Sequence, residues 1–509
     1  MGNHQDQQKA FLARRLRLQK EAADFNYEGE RTIVVIPGLN DDPSRLKQIP
    51  QLYKHEERFL FFLFLLKYQK TRLVYVTSKT LNPNLIDYYL EMIFSGEEDK
   101  NDAKKRLFLI STQNIKYVSL AQKILESPQT IKKIKSALLN PKTAHLRCYN
   151  STGFEERLSL KLGIPLYAAS EKTKIFGTKS AGKDIFKQAE ANVIPGINRL
   201  KKIRELSRAI VELAKTYPKC ARFLIKLEDK SAGAGNKVFN WHKYLENLDI
   251  EQTDRIENIS EMIYEEFLKY LRQKKGKLSQ YLRDFKRSGG MIELYLEAAK
   301  VTSPSVQMRI TPGKNLKTLS THEQILSGLK GKYIGCAFPA KKAYRQEIIS
   351  QAKKIGQKLI KKGIVGRFAI DFLVLNNPTK KIKRKIYPIE INIRKGGTTH
   401  PYELTTLVTG AHYREEDGLL YAGKKPIFYF ASDNIKNEKY AKLTTEKLIA
   451  LVKNSSLNYD PKKKKGVILH LLGTVEKLGR IGATCIGHSR AQAYEYYEKL
   501  ISKLDEITK

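Results

Sequence analysis

Apolar runs alternate with amphipathic stretches through the first third of the chain. These runs predict strands over 31–37, 72–77 and 106–111, and the stretches predict helices over 56–68 and 153–166. Strands that alternate with helices are typical of a parallel α/β layer. We therefore predict a parallel α/β domain over residues 31–170, preceded by a polar N-terminal helix over residues 1–30.

The pattern changes after residue 171, where strands begin to follow one another more directly. Helices are predicted near 183–190, 198–216 and 256–285, and strands near 221–227, 291–297, 305–311, 366–375 and 386–394. The later strands favour an antiparallel sheet over further βαβ units. After Pro401 a helical segment and strands over 425–432 and 466–473 complete the chain, so the fold class is α/β joined to α+β.

Composition limits the class of protein. The 509 residues are 41% hydrophobic, enough for several cores, and the longest apolar run, Phe59–Leu66, is far shorter than the roughly 18 residues of a membrane span. The N-terminal segment has no apolar signal region, and the four cysteines lie far apart without a C-x-x-C pair. We expect a cytoplasmic protein with reduced thiols and no membrane partner.

The formal net charge is +40. A charge of this sign is compatible with nucleic acid, but the basic runs at 380–385 and 462–465 contain no interleaved aromatic residues for stacking on single strands. We favour a lysine-rich composition spread over solvated surfaces, which also attracts a small anion such as ATP. Nucleic acid is therefore a possible but not a favoured partner.

Two glycine motifs fail as independent nucleotide sites. Gly177–Lys183 fits G-x-x-x-x-G-K, but Asp184 stands where a P-loop needs a Ser or Thr for magnesium. Gly233 and Gly235 lack the third glycine of a dinucleotide fingerprint. A P-loop and a Rossmann cofactor site are both excluded as the basis of function.

Lys226 gives a stronger signal. It lies in an apolar strand, where a lysine is costly unless it meets an anion, and a glycine-rich loop with Ser231, Gly233 and Gly235 follows. Small residues let backbone N–H groups approach phosphate oxygens. An edge lysine beside an ordinary turn would explain the same pattern, so this motif alone leaves both interpretations open.

Two later strands bring acidic groups together. In 387–394, Glu390, Asn392 and Arg394 alternate with apolar residues, and in 366–374 Asp371 shares a face with Arg367. Two carboxylates and an amide oxygen are hard ligands suited to Mg²⁺. An amphipathic hairpin would explain the alternation, but it would not explain the apolar setting of Asp371.

These residues carry a resemblance to a known family. A lysine and glycine loop followed by Asp…Glu-x-Asn resembles the ATP-grasp superfamily. The segments SPSVQMRI, STHEQIL, GRFAIDF, EINIRKGGTTHP and GATCIG resemble its pheganomycin-type peptide ligases and related carboxylate–amine ligases. The resemblance implies a pre-ATP-grasp domain (31–170), an ATP-grasp core of two α+β subdomains that clasp ATP (171–300 and 301–410), and a C-terminal domain (411–509).

The resemblance also implies roles for individual residues. Lys179 and Lys226 would bind the phosphates of the nucleotide. The hinge residues Glu293, Tyr295 and Leu296 would contact adenine, and Glu297 would contact ribose. Asp371, Glu390 and Asn392 match the ligands of one or two Mg²⁺ ions, with Mn²⁺ as a substitute. Arg394, Arg367 and Arg309 would stabilise the phosphorylated carboxylate.

The expected activity is ATP-dependent amide bond formation, with peptide character implied by the resemblance. The expected partners are small-molecule or peptide carboxylates and amines, and we expect a homodimer. A non-catalytic nucleotide- or nucleic-acid-binding protein on the same scaffold, and an ATP-grasp kinase, remain as alternatives.

Overall fold

The computed structural model describes residues 27–41, 43–230, 235–246, 256–273, 275–327, 332–376 and 384–509. Most of the predicted N-terminal helix over 1–30 lies outside the described residues. So do Ser231 and Gly233 of the glycine-rich loop.

The first part of the chain forms the predicted parallel α/β layer. Its strands are β1 (Arg31–Ile36), β2 (Thr71–Thr77), β3 (Leu107–Ser111) and β4 (Ala144–Cys148), all parallel in the order β3-β2-β1-β4. The helices are Pro43–Leu46, Pro83–Leu90, Glu97–Lys105, Leu120–Leu125, Pro128–Ser136 and Gly153–Leu162, and the 3₁₀ helices are Leu52–Lys67 and Glu171–Gly177. The sequence pattern did not predict β4, because His145 and Arg147 interrupt its apolar residues although the whole strand is buried.

The apolar run Phe59–Leu66 lies in a 3₁₀ helix, where a helix was predicted. Every residue of the run is buried, so it packs on all sides rather than along one stripe. In a 3₁₀ helix residues three apart lie above one another, and the Phe59 and Phe62 ring centroids are 5.8 Å apart. This segment fills the space between β2 and the last third of the chain.

Glu56, in the same helix, is a buried carboxyl group. Its two oxygens accept hydrogen bonds from the backbone N–H and the hydroxyl of Ser78, each at 2.6 Å, and Lys123 donates to that hydroxyl at 2.8 Å. Burial outweighs these contacts and raises the pKa of Glu56 to about 7.

Glu56→Gln is expected to remove a pH-dependent part of the stability. The folded protein holds this proton up to about pH 7, whereas the unfolded chain releases it near pH 4.5, so the wild type loses up to about 3 kcal/mol from this group as pH rises across that window. Urea unfolding at pH 5 and pH 8 measures the difference, with the exposed Glu98→Gln as the control. An equal pH slope in wild type and Glu56→Gln would contradict the assignment.

The second sheet is antiparallel, with strands β5 (Gly196–Leu200), β6 (Arg222–Leu227), β7 (Asn236–Asn240) and β8 (Gly290–Leu294) in the order β5-β8-β6-β7. Its helices are Lys179–Gln188, Ile203–Thr216, Trp241–Glu246, Ile256–Arg272 and Lys277–Ser288. The prediction of helix over 198–202 was wrong, because β5 pairs there with β8. The predicted helix over 256–285 is divided near Gly276, whose φ of 134° suits glycine and not a helix.

The third sheet follows and is also antiparallel. Its strands are β9 (Lys300–Thr302), β10 (Pro304–Ile310), β11 (Leu316–Ser327), β12 (Lys332–Phe338), β13 (Gly366–Asn376), β14 (Arg384–Asn392), β15 (His412–Arg414), β16 (Leu419–Ala422), β17 (Lys425–Lys436), β18 (Gly466–His470) and β19 (Arg480–Gly487). The main order is β14-β13-β10-β11-β12-β17-β16-β15, with β9 on β13 and β19 between β17 and β18.

The remaining helices are Lys342–Lys361, Thr399–Thr409, Thr445–Lys453, Val475–Leu478 and Arg490–Ile507, with 3₁₀ helices at Glu438–Lys442 and Leu472–Thr474. Because β12 pairs with β17, the third sheet continues through residue 410, and the domain boundary placed there stays a prediction. The four cysteines are free thiols in the structure. Within the described part of the chain, we find no helix both long and apolar enough to cross a membrane.

Candidate active site

The antiparallel pair β13 and β14 brings the three predicted metal ligands together. Its register sets Asp371 opposite Glu390 and Ala369 opposite Asn392. The Asn392 side-chain amide donates to Asp371 Oδ2 at 3.0 Å, and Gln324 Nε2 from β11 donates to Asp371 Oδ1 at 2.7 Å. Two carboxylates and two amides therefore meet on one face of the third sheet.

On this face it is unfavourable for Asp371 and Glu390 to be ionised together. Burial, followed by the charge of Glu390, raises the pKa of Asp371 to about 7, although Lys179 and Arg394 act in the opposite direction. A raised pKa marks a carboxyl group whose negative charge lacks compensation. A bound cation would supply that compensation.

The donor set fits Mg²⁺. The oxygens of Asp371, Glu390 and Asn392 are hard ligands, and Mg²⁺ commonly takes one or two carboxylates and completes its shell with phosphate and water. Among the described residues, no three His, Cys, Asp or Glu side chains form a group that could hold a metal ion. The arrangement suits a metal shared with a phosphate ligand.

Lys179 connects this face to a helix. It is the first residue of the helix Lys179–Gln188, and its Nζ lies 2.6 Å from Glu390 Oε1. The next residue, Ser180, donates its backbone N–H to Glu228 Oε2 at 3.0 Å. A 3₁₀ helix and not a strand precedes this segment, which agrees with the exclusion of a P-loop.

The same helix reaches the second sheet through Lys183. One turn after Lys179, Lys183 Nζ lies 3.0 Å from Glu293 Oε1 on β8, and Lys226 Nζ on β6 lies 2.5 Å from Glu293 Oε2. Burial alone would raise the pKa of Glu293, but the two ammonium groups hold it below its ordinary value. Three lysines therefore line one path between the two antiparallel sheets.

The predicted adenine hinge follows β8. The backbone N–H of Tyr295 donates to the carbonyl of Arg222 at 2.9 Å, and Leu296 is partly buried against the core of the second sheet. Glu297, expected on ribose, pairs with Arg222 at 2.5 Å on the surface. The side chain of Glu293 points to the lysines, so an adenine contact at this position would have to come from its backbone.

Gly235 is the member of the glycine-rich loop that the structure describes. Its carbonyl accepts hydrogen bonds from Leu227 N at 3.0 Å and from the Tyr281 hydroxyl at 2.9 Å. A Cβ atom at Gly235 would lie 2.5 Å from Cβ of Lys230, closer than real contacts allow. This glycine is needed for the close return of the chain from β6 to β7.

The three predicted arginines lie at the other end of the same sheet face. Arg309 and Arg367 are opposite each other on β10 and β13, and both are buried. Arg367 Nη2 is 2.7 Å from Oε1 of the fully buried Glu403. Arg394 follows β14 and donates to the carbonyl of Lys395 at 2.9 Å.

Sequence reasoning missed several charged or polar residues near these groups. Lys183 could have been found, because it lies four residues after Lys179 and so on the same helix face. Gln324 stands within the STHEQIL segment, but its contact with Asp371 crosses β10. Arg147, Lys395 and Glu403 meet through long-range packing, for which the sequence holds no local signal.

Known protein families match two parts of the chain. A family described as IQCH-like, ATP-grasp matches residues 170–415, and the PGM1 C-terminal domain matches residues 447–500. The L-propargylglycine–L-glutamate ligase of Streptantibioticus cattleyicolor is 25% identical over 468 residues, covering 91% of this chain and 92% of that protein. The IQ motif-containing protein H of Danio rerio is 20% identical across 87% of this chain, which spans only 45% of that protein.

Solved structures share the fold. An ADP complex of N5-carboxyaminoimidazole ribonucleotide synthetase has a TM-score of 0.52 at 12% identity, over 94% of this chain and 98% of that one. The biotin carboxylase domain of Hydrogenobacter thermophilus 2-oxoglutarate carboxylase, a complex with MgADP and bicarbonate, has a TM-score of 0.52 at 11% identity, over 92% and 89% of the two chains.

Proposed function

Because this chain contains an ATP-grasp domain, we propose that it is an ATP-dependent ligase that joins a carboxylate to an amine through an acyl phosphate, with release of ADP and phosphate. The observation that carries the proposal is the path of Lys179, Lys183 and Lys226 between the two sheets, which ends at Asp371 and Glu390. A similar protein over nearly the full length is named as a ligase of two amino acids, which supports amino acids or peptides as substrates.

The lysines suit the phosphates of ATP. Each holds a carboxylate oxygen at 3.0 Å or less, a geometry that a phosphate oxygen can also take up. Asp371, Glu390 and Asn392 would hold Mg²⁺, which supplies charge neutralisation for the transferring phosphoryl group. The guanidinium group of Arg394 is the one best placed to stabilise the phosphorylated carboxylate. Arg367 and Arg309 lie further along the same face.

An acyl phosphate hydrolyses unless water is kept away from it. The glycine-rich loop between β6 and β7 would cover the nucleotide, and Gly235 sets the start of its return strand. We place no covalent nucleophile in the site, because three of the four cysteines are buried and the thiol of the fourth, Cys220, donates to the carbonyl of Arg222 at 3.0 Å. Positioning and charge are the means of catalysis that these residues offer.

The proposal predicts that ADP release requires two substrates. We expect turnover only when a carboxylate and an amine are both present, with a product whose mass equals their sum minus water. Pairs of amino acids and short peptides, followed by ADP release and mass spectrometry, measure this. With hydroxylamine as the amine, the activated carboxylate should be trapped as a hydroxamate.

The alternatives give different outcomes in the same assay. A stable phosphorylated product without need for an amine would indicate an ATP-grasp kinase. Binding of ATP without ADP release with any pair of substrates would indicate a non-catalytic nucleotide-binding protein. Either result would contradict the ligase proposal.

A further inference from the structure

The residues that would hold Mg²⁺ are engaged with donors from the protein itself. Lys179 Nζ lies 2.6 Å from Glu390 Oε1. Both carboxylate oxygens of Asp371 accept hydrogen bonds, one from Gln324 Nε2 at 2.7 Å and the other from Asn392 Nδ2 at 3.0 Å. The free protein therefore satisfies its own metal ligands with one ammonium group and two amides.

The ion pair between Lys179 and Glu390 is largely shielded from water. The side chain of Lys179 is 8% exposed and that of Glu390 is 20% exposed. Within the described part of the chain, no other lysine or arginine forms an ion pair with Glu390. An ammonium group buried without an anion is costly, and so is a carboxylate buried without a cation. Neither group is therefore released unless a new partner of opposite charge replaces the old one.

A divalent ion that arrives without nucleotide supplies a partner for only one of these two groups. If Glu390 exchanges the ammonium group for the metal, Lys179 stays buried without an anion. If the metal takes the second oxygen of Glu390 instead, it lies a few ångströms from the ammonium group and is repelled by it. Both routes weaken the binding of a free metal ion.

A nucleotide that arrives with its metal supplies both partners at once. Lys179 can exchange the carboxylate for a phosphate oxygen, because an ammonium group donates to either anion. Glu390 can then exchange the ammonium group for the metal, whose remaining ligands are phosphate oxygens and water. This double exchange leaves no buried charge without a partner.

Lys183 provides an internal comparison one turn further along the same helix. Its Nζ lies 3.0 Å from Glu293 Oε1, and Lys226 Nζ lies 2.5 Å from Oε2 of the same carboxylate. Glu293 therefore keeps one ammonium group when the other turns to a phosphate. Glu293 also belongs to the second sheet, whereas the proposed metal ligands belong to the third. Loss of Lys183 thus removes the same charge without freeing a metal ligand.

We propose that Lys179 is a placeholder for the metal ion. It holds Glu390 in the free protein, excludes a divalent ion that arrives without nucleotide, and releases Glu390 when a phosphate group binds the ammonium group instead. This inference rests on the proposed function for the identity of the metal ligands. It adds that metal and nucleotide each raise the affinity of the protein for the other, and that this cooperativity resides in one ion pair.

The first test measures Mn²⁺ binding without nucleotide, from the electron paramagnetic resonance signal of the free ion. Mn²⁺ takes oxygen ligands like those of Mg²⁺. We expect Lys179→Met to bind Mn²⁺ about 10- to 100-fold more tightly than wild type, because Glu390 then has no ammonium group as partner. Lys183→Met is the matched control. Its affinity should stay within about threefold of wild type, because the charge that it removes does not hold a metal ligand.

A double variant shows where the additional metal ion is bound. Lys179→Met combined with Asp371→Asn should return the Mn²⁺ affinity to the level of wild type, since the site then lacks one of its carboxylates. Wild type that binds Mn²⁺ as tightly as Lys179→Met would overturn the proposal. So would an equal gain in Lys183→Met, or a gain that survives the loss of Asp371.

The second test approaches the ion pair from Glu390 and does not depend on the folding of Lys179→Met. ADP binding is measured by isothermal titration calorimetry in wild type and Glu390→Gln, once with Mg²⁺ and once with EDTA. We expect the metal-free affinity of Glu390→Gln to exceed that of wild type about tenfold, because Lys179 is then free to bind phosphate. A metal-free affinity no higher than that of wild type would overturn the proposal, since loss of a metal ligand alone leaves it unchanged.

Neither test contains a carboxylate or amine substrate, so failure of this inference and failure of the proposed function can be told apart. Ligase turnover in wild type, combined with unchanged Mn²⁺ binding in Lys179→Met, would keep the ligase and defeat only the placeholder. Tighter Mn²⁺ binding in Lys179→Met, combined with no turnover of any substrate pair, would keep the placeholder and defeat the ligase.

Discussion

Asp371→Asn is expected to lower ligase turnover by at least about a hundredfold without weakening the fold. The carboxylate lies opposite Glu390 and accepts hydrogen bonds from Gln324 and Asn392, at the place where the lysine path ends. Asparagine keeps the size of the side chain but removes a charge that Mg²⁺ would need. Because burial and Glu390 raise the pKa of Asp371 to about 7, the neutral replacement also relieves repulsion.

The measurement pairs kinetics with unfolding. ADP release at saturating Mg²⁺ and ATP gives the loss of turnover, and urea unfolding at pH 8 should give a free energy equal to or above that of wild type. Asp102→Asn, on the surface helix Glu97–Lys105, controls for the loss of an aspartate elsewhere. Full activity in Asp371→Asn would remove the carboxylate pair from the mechanism.

Glu403→Gln is expected to reduce the free energy of unfolding by about 3–5 kcal/mol. Its carboxylate is fully buried, pairs with Arg367 at 2.7 Å and faces Arg147 and Lys395. Glutamine has nearly the same shape, so packing is retained and the change measures charge alone. Arg367 would then lose the carboxylate of a buried ion pair, which is costly because its own charge stays buried.

Denaturant unfolding of wild type, Glu403→Gln and the exposed control Glu495→Gln tests this expectation. The control should stay within about 0.5 kcal/mol of wild type. A stability equal to wild type would mean that the charge of Glu403 does not stabilise the folded protein.

The local sequence pattern was sufficient to predict the strands that carry the proposed metal ligands. The alternation in 387–394 and the acidic residue within 366–374 predicted that the polar side chains of both strands share one face of the sheet. The register of β13 and β14 places Asp371 beside Glu390. The resemblance to ATP-grasp peptide ligases drawn from the same segments is confirmed, as is the combination of parallel α/β and antiparallel layers. Period two is a reliable signal when one face is buried, because a slip of one residue would exchange the faces.

The local sequence pattern could not predict which distant segments pair with each other. β5 forms where helix was predicted because β8 lies beside it, and β4 is buried although it carries His145 and Arg147. Arg147 meets Glu403 across more than 250 residues of sequence. Nothing within either segment indicates the other, so only the packed structure shows that the two residues interact. The glycine-rich loop residues Ser231 and Gly233 stay predictions.

In the proposed ligase, the helix Lys179–Gln188 would couple nucleotide binding to the mutual orientation of the second and third sheets. Its first lysine is bound to Glu390 of the third sheet and the lysine one turn later to Glu293 of the second. A phosphate oxygen bound there would compete with both carboxylates for the same ammonium groups, so the free energy of nucleotide binding would depend on how the two sheets are oriented. By the reciprocity of linkage, a substrate that draws the sheets together would then raise the affinity for the nucleotide by the same factor.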